Sequence, residues 1–253
     1  MTQLWADKPF ELLDIPGEPG APSCNNEDVM STAVEMANVH NLILRGLNSI
    51  YLQAPKISKP VDVADFMLYI IAWADTVHHH HSVEESMFFP EIEKIAQEVG
   101  HPEKLMDANI DQHHAFEAKL VETSKYAQAV SEGKEEFDSA RLKELIDGFA
   151  PILTQHLHDE IDTLMKLEGC DGKRVKKAMK DCAEAGAKTA DPNLVIPLVL
   201  GCIDKTYPGS ADFPPLPFFV PYLNAYWFSK KHKGCWRFNP SDQWGKPRPL
   251  QFL

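Results

Sequence analysis

Histidine and glutamate side chains recur along this chain with the residue types and spacing of metal ligands. Four consecutive histidines, residues 78–81, are followed by the paired acids Glu84 and Glu85. A second pair, His156 and Glu160, is separated by four positions nearer the C-terminus. Imidazole nitrogens and carboxylate oxygens suit first-row transition metals. The two regions are therefore predicted to supply ligands to one metal site.

Helical periodicity indicates which of these side chains face the interior. Residues three or four positions apart share one face of a helix. His80 and Glu84 lie on an apolar stripe that also contains Val77, so we expect both to point inward. The offset stripe with His81 and Glu85 is nearly as apolar, and periodicity alone leaves these two registers open.

The second pair and two single histidines are the remaining candidate ligands. His156 and Glu160 share an apolar stripe, whereas the stripe through His158 is more polar and is expected to face outward. His40 lies on the apolar stripe of an earlier helix, and His113 lies on that of a third helix. His114, beside His113, falls on a weaker inner face. The stripes predict His40, His113, His156 and Glu160 as ligands, together with either His80 and Glu84 or His81 and Glu85.

This order of ligands is a two-fold pattern that suits two metal ions. One His and one His-x-x-x-Glu pair are followed by a second His and a second pair. If both carboxylates bridge, each ion receives two nitrogens and two oxygens and keeps positions for an exogenous ligand. We expect two non-haem iron ions, with manganese or zinc as alternatives for the same donors.

Each element of the pattern also has a simpler explanation. A single buried histidine is more often a hydrogen-bonded core residue, and a His–Glu pair one turn apart is usually a surface pair. The joint occurrence on four successive helices favours the metal site, because each buried group without a partner would cost a few kcal/mol.

Four long predicted helices position these residues. Short connections favour antiparallel neighbours, so the fold class is all-α, an up-down-up-down four-helix bundle. Pro90 should kink or break the second helix, and Pro151 should bend the fourth. The helices are expected at Glu27 to Gln53, Pro60 to Val99, Pro102 to Ser131 and Ser139 to Leu167.

The bundle is predicted to occupy residues 27–168, between two different segments. Residues 1–26, rich in proline and glycine, are expected to form an extended arm. Residues 169–253 form a C-terminal extension that should pack on the bundle. Within it we expect a basic helix from Lys173 to Ala187, an apolar run from Asn193 to Ile203 of undecided type, and an aromatic and proline-rich segment at 207–253 that wraps the bundle.

Composition excludes some partners. The net charge of −12 disfavours nucleic acids and acidic membrane surfaces. No apolar run approaches the about 20 residues that span a bilayer, and the N-terminus lacks a secretory signal pattern. The five cysteines are odd in number and widely spaced, which favours free thiols and a cytoplasmic location.

The chain resembles the hemerythrin-like, or HHE cation-binding, family over about residues 27–168. The resemblance aligns His80 and Glu84 with the family's ligand pair and favours His113, which Phe116 follows by three positions. The motifs that carry it are Val39-His40-Asn41, His80-His81-Ser82-Val83-Glu84-Glu85-Ser86-Met87-Phe88-Phe89-Pro90, Gln112-His113-His114-Ala115-Phe116 and His156-Leu157-His158-Asp159-Glu160.

The resemblance implies a non-haem di-iron centre that meets O2 or NO, with two departures from the oxygen carriers. Asn109 stands where carriers have a second histidine, one turn before His113. Glu160 replaces an aspartate that carriers have at the position of Ile161. Both departures are similar to di-iron proteins of iron–sulfur repair and nitrosative stress, and they imply a freer position on one iron. The aromatic extension is similar to that of fungal members.

Three functions follow as hypotheses. The first is a di-iron protein that binds, stores or senses O2, NO or iron. The alternative is an O2-dependent di-iron oxidase or oxygenase whose small organic substrate is capped by the C-terminal extension. The third is an interaction protein with an adventitious metal.

Overall fold

The computed structural model describes residues 5–101 and 104–253, and its regular elements there are helices, apart from one isolated β-bridge between Ser241 and Pro247. The all-α prediction is confirmed. The α-helices are α1 (Glu27–Gln53), α2 (Pro60–Val83), α3 (Phe89–Glu98), α4 (Asp107–Ser131), α5 (Ser139–Asp147), α6 (Ala150–Met165), α7 (Gly172–Thr189), α8 (Pro192–Cys202) and α9 (Val220–Tyr226).

Helices α1, α2, α4 and α6 form the predicted four-helix bundle. Around the bundle, α1 packs against α2, α2 against α4, α4 against α6, and α6 against α1. Fully buried aromatic side chains, including Phe66, Trp73, Phe116 and Phe149, fill the interior between them. Burial of such large apolar side chains is the main favourable contribution to a helical core.

Polar residues define where several helices begin. The Asn26 side chain accepts a hydrogen bond from the Val29 N–H, so α1 starts at Glu27 as expected. Asp138 and Asp171 cap α5 and α7 in the same way. Each cap satisfies a backbone N–H that has no partner within its own helix.

The predicted second helix is divided by a π-helical turn. Helix α2 ends at Val83, the π-turn spans Glu84–Phe88, and α3 begins at Phe89. Pro90 therefore occupies the first turn of α3, where its missing N–H is not needed. The expected break is present, but it takes the form of a wide turn before the proline. Such turns are frequent at functional sites.

The third and fourth predicted helices also differ from expectation. Helix α4 begins at Asp107, and Pro102, the predicted start, lies outside the described residues. The predicted fourth helix is two helices, α5 and α6, because Pro151 lies in the first turn of α6 and ends the preceding helical run. A short 3-10 helix, Lys166–Gly169, follows α6.

Two buried asparagines of α1 hold the N-terminal segment against the bundle. Asn41 accepts from the Leu13 N–H at 2.7 Å and donates to the Leu13 carbonyl at 2.9 Å. Asn48 accepts from the Phe10 N–H at 2.8 Å and donates to the carbonyl oxygens of Phe10 and Ala6. These side chains supply the hydrogen bonds that an extended segment cannot make within itself.

Arg45 of α1 joins the N-terminal segment to the C-terminal extension. Its side chain is buried, and its guanidinium lies 5.3 Å from the Trp5 ring centroid and 5.0 Å from the Tyr207 ring centroid. The Asp7 carboxylate is 3.5 Å from the Arg45 Nε. One buried cation is thus enclosed by aromatic rings and a carboxylate from both ends of the chain.

Helix α7 is the part of the extension that packs beside the middle of the bundle. It contacts α1, α2, α3 and the π-turn. Its buried face carries Val175, Ala178, Met179 and Cys182, which recur at helical spacing. Helix α8 follows, so the apolar run of undecided type is helical.

The aromatic C-terminal segment covers a different part of the bundle. The Phe238 ring lies 4.8 Å from the Phe66 ring and 5.9 Å from the Tyr69 ring, as centroid distances. Phe66 precedes His80 by 14 residues, which corresponds to about 20 Å along a helix. Phe238 therefore packs near the start of α2, away from the histidines at its other end.

Within the described residues, no helix is both long enough and apolar enough to cross a membrane.

Replacing Asn48 with alanine should destabilise the fold by about 2 kcal/mol, because the buried Ala6 carbonyl and the partly buried Phe10 N–H lose their partner. Urea unfolding followed by circular dichroism measures this change. Asn38→Ala is the matched control, since the Asn38 amide bonds only to the Val34 carbonyl of the same helix. Equal losses in the two variants would contradict the proposed attachment of the segment.

Candidate metal centre

The four bundle helices bring the six predicted ligands together in the interior. α1 contributes His40, α4 contributes His113, and α6 contributes His156 and Glu160. α2 contributes His80, and Glu84 begins the π-turn that follows it. His81 lies in the same cluster as a seventh member. The potential metal-binding atoms form two groups within the described residues, His40–His80–Glu84 and His81–Glu84–His113–His156.

The first group lies between α1 and α2. The His80 Nε2 is 3.2 Å from Glu84 Oε1, and the ring centroids of His40 and His80 are 5.6 Å apart. The potential ligand atoms of the three residues lie within 4.8 Å of one another. This spacing is compatible with one ion held by two imidazoles and a carboxylate.

The second group lies between α2, α4 and α6. The Nε2 atoms of His113 and His156 are 2.9 Å apart, and their ring centroids are 4.3 Å apart. The His81 ring centroid is 4.3 Å from that of His113 and 5.1 Å from that of His156. Three imidazoles and Glu84 thus surround one small volume.

Both carboxylates connect the two groups. Besides its contact with His80, Glu84 places Oε2 at 3.9 Å from His113 Nε2. Glu160 Oε2 is 3.4 Å from His40 Nε2 and 3.6 Å from His156 Nε2. Each carboxylate therefore approaches one histidine from either group, which is the arrangement that a bridging ligand requires.

The unsatisfied donors and acceptors of this cluster fit a pair of cations. The side chains of Glu84 and Glu160 are fully buried, and none of their four oxygens has a hydrogen-bond partner among the described residues. The Nε2 atoms of His40 and His80 are equally without one there. Buried polar atoms are normally satisfied, because each unpaired group costs about 1–3 kcal/mol. Cations at these positions would satisfy them together.

Burial shifts the pKa values of the cluster towards the neutral forms. It lowers the pKa of His80, His81 and His156 well below 6.5, and neighbouring imidazoles lower them further. Burial, with the charges of Glu160 and Glu85, raises the pKa of Glu84 well above 4.5. Neutral imidazole is the form that binds metal, so the histidines are ready for binding at neutral pH.

Outer hydrogen bonds orient three of the imidazoles. His40 Nδ1 donates to the Leu157 carbonyl at 2.6 Å, and His113 Nδ1 donates to the Glu85 carboxylate at 2.7 Å. His156 Nδ1 lies 3.3 Å from the Gln112 amide oxygen. When Nδ1 carries the proton, the lone pair of Nε2 faces the centre and is free to bind a metal. This arrangement is typical of metal-bound histidine.

Histidines outside the predicted set have other partners. His78 contacts Glu117 at 2.5 Å, His79 contacts the Gly186 carbonyl at 3.2 Å, and His158 contacts the Glu11 carbonyl at 3.2 Å. His114 is exposed on the outer face of α4. None of these four side chains belongs to the two candidate groups. Only for His158 did the stripe predict an outward position, since His78 shares the stripe of His81 and His114 lies on the weaker inner face of its helix.

His81 is the cluster member that the sequence-based set omits. Glu84 follows His80 by four positions and His81 by three, and both separations bring side chains together on a helix. The sequence does contain a signal for His81, because the stripe that includes it is nearly as apolar as the stripe that includes His80. The two registers are therefore not alternatives, because both histidines approach Glu84.

Comparison with known proteins gives two matches. A family model described as the hemerythrin HHE cation binding domain matches residues 32–167. A curated protein named Dimeric xanthone biosynthesis cluster protein R11, from Cryptosporiopsis sp. (strain 8999), is 36% identical over 251 residues, which covers 98% of this chain and 93% of the relative. No solved structure matches.

The family match spans more than half of the chain and all seven members of the cluster. The relative extends the similarity through the N-terminal segment and the C-terminal extension. With its bundle and its buried histidine–glutamate cluster, which fits a metal site, this chain belongs to the hemerythrin HHE cation-binding family.

Proposed function

We propose that this protein holds a di-iron centre that binds or reacts with O2 or NO. The observation that carries the proposal is the pair of buried histidine groups joined by two carboxylates without hydrogen-bond partners in the described chain. His40 and His80 would hold one ion, and His113 and His156 the other. Glu84 and Glu160 would bridge them.

The donor set supports iron over metals that prefer thiolates. Burial, with the negative charges of Glu84 and Glu160, raises the pKa of the nearby Cys182 thiol to about 12. Among the described residues no thiol joins either candidate group, whose ligand atoms are imidazole nitrogens and carboxylate oxygens. Imidazole and carboxylate suit iron, manganese and zinc, and iron when bound supplies the electrons that reaction with O2 or NO requires.

Apolar side chains keep bulk water from the centre. The Phe116 ring lies 5.0 Å from the His81 ring and 5.7 Å from the His156 ring, and the Phe89 ring stacks on His113 at 5.5 Å, as centroid distances. Both phenylalanines are buried. An enclosure of this kind admits small neutral molecules and limits loss of the metal to solvent.

A second candidate function is oxidation of a small organic substrate by the same centre. The named relative favours it, since that protein belongs to a biosynthesis cluster for dimeric xanthones. A surface cavity of about 410 Å³ lies where the π-turn, α3 and α7 meet, and on this proposal it would receive the substrate. It is lined by Met87, Glu91, Arg174, Lys177, Ala178 and Asp181. On this proposal α7, rather than the aromatic segment, covers the substrate.

The cellular setting is part of the same proposal. All five cysteines are free thiols, at Cys24, Cys170, Cys182, Cys202 and Cys235. Free thiols are typical of reducing compartments, and we propose that the protein works in the cytoplasm.

Replacing His156 with alanine should abolish stable iron loading, because the second group loses a central imidazole. Anaerobic loading with Fe²⁺, desalting and metal analysis measure this, against about two irons per chain in the unaltered protein. His158→Ala is the matched control on the same helix and should load normally. Failure of the unaltered protein to retain iron would refute the di-iron proposal and favour an adventitious metal.

Exposure of the reduced, iron-loaded protein to O2 or NO should change its visible absorption, and His156→Ala should show no such change. A change with O2 that reverses under argon supports ligand binding. Consumption of O2 that a hydroxyxanthone accelerates supports the oxidation of an organic substrate instead. Absorption unaffected by either gas would contradict both functions.

The metal-free protein should lose stability as the pH falls below about 6.5. The unfolded chain then protonates imidazoles that stay neutral in the fold, because burial lowers the pKa of His80, His81 and His156. Their stabilising contribution is complete above pH 6.5 and is lost towards the lower folded pKa values. The raised pKa of Glu84 acts in the opposite direction, but it is one strongly shifted carboxylate of the cluster against three strongly shifted histidines, and burial lowers the pKa of His113 as well.

Urea unfolding of chelator-treated protein at about pH 7.5 and about pH 5.5 tests this dependence. Each histidine contributes at most about 1.4 kcal/mol per pH unit. His80→Gln, which removes one of the three imidazoles, should show a smaller loss between the two pH values. A metal-free protein that is equally stable at both would contradict the expected dependence.

A further inference from the structure

We propose that His81 is a ligand of the second metal ion, so that this ion is held by three imidazoles and the first by two. The inference rests on the proposed function and changes its ligand set. The second ion would bind His81, His113 and His156, whereas the first would bind His40 and His80. Glu84 and Glu160 would remain shared.

The primary observation is the absence of partners for the His81 ring. The side chain is buried, and neither Nδ1 nor Nε2 has a hydrogen-bond partner among the described residues. The ring nevertheless places a nitrogen within 4.8 Å of the potential ligand atoms of Glu84, His113 and His156. Two orphaned nitrogens in one buried ring are unusual, and a metal bond accounts for one of them.

A role in packing alone explains this arrangement less well. His81 does contact apolar surface, since its ring lies 5.0 Å from Phe116. However, a phenylalanine or leucine would fill the same space without burying two polar atoms. The neighbouring His78 and His79 both have polar partners, so unsatisfied nitrogens are not a general property of the histidine run.

The adjacent polar residue on α4 is consistent with this assignment. Asn109 lies one turn before His113 and is buried, and its Oδ1 has no partner in the described chain. On this assignment the third nitrogen of the second ion comes from α2, from the residue that follows the predicted ligand His80.

The assignment makes the two ions inequivalent. The ion at His40 and His80 would have one protein nitrogen fewer than its neighbour. We therefore expect an exogenous ligand to bind there. Helix α7 packs against both α1, which carries His40, and the π-turn, which carries Glu84. The side of the centre with the freer position would thus face the C-terminal extension.

Proton NMR of the protein loaded with Co²⁺ tests the assignment without any activity measurement. Each imidazole that binds paramagnetic Co²⁺ gives one strongly shifted ring N–H signal, which disappears in D2O. We expect five such signals from His40, His80, His81, His113 and His156, and four in His81→Gln. The control His79→Gln should keep five.

Metal titration gives a second readout. His81→Gln should bind one of its two Co²⁺ ions at least about tenfold more weakly, while the control keeps the affinity of the unaltered protein. Four shifted signals in the unaltered protein, none of them lost in His81→Gln, would overturn the His81 assignment and leave the di-metal centre intact. No retained Co²⁺ and no shifted signals would instead refute the centre itself.

If His81→Gln does not fold, the number of shifted ring N–H signals in the unaltered protein still tests whether His81 is a ligand. Protein labelled with ¹⁵N only at histidine identifies the shifted signals as imidazole N–H. Five signals would support His81, because the described cluster contains five histidines in all. Four would exclude it.

Discussion

Two buried carboxylates at the centre of a helical bundle are the constraint on which the rest of this structure depends. Glu84 and Glu160 are fully excluded from solvent, and no hydrogen bond within the described chain reaches their oxygens. Such groups are stable in an apolar core only when they are neutral or face positive charge. Burial favours the neutral forms of His80, His81 and His156 by lowering their pKa values, so these rings do not supply that charge at neutral pH. Bound cations would supply it, in keeping with the metal centre proposed above.

The outer contacts of the site fix these donors before any metal binds. His40 bonds to a backbone carbonyl of α6, and His113 bonds to a carboxylate of the π-turn, so each ring is oriented by a neighbouring helix. The position of α1 is in turn defined by buried polar contacts with both ends of the chain, through Asn48 and Arg45. Preorganisation of this kind lowers the entropy that is lost when ligands close on a metal.

Helical periodicity and residue chemistry predicted the bundle and placed His40, His113, His156 and Glu160 on apolar faces. The pattern was informative because an ionisable side chain on an apolar stripe has few explanations. The resemblance to the family then selected His80 with Glu84 and left out His81, whereas Glu84 is one turn from both histidines. It also missed the π-turn, since Pro90 indicates a break but not which hydrogen bonds replace the α-helical ones. The partners of Arg45 were not predictable, because they come from distant parts of the chain.

The candidate ligands and the residues of α7 lie in different parts of the sequence. All the candidate ligands lie within residues 32–167, where the family match lies, whereas α7 belongs to the extension that follows. A helix that packs against the π-turn, α1 and α2 is thus encoded outside the matched segment. We expect substitutions in α7 to change the surroundings of the candidate centre while leaving every candidate ligand unchanged. Relatives with the same histidines and glutamates can therefore diverge in the molecules they accept, and the extension is the segment in which that divergence should be sought.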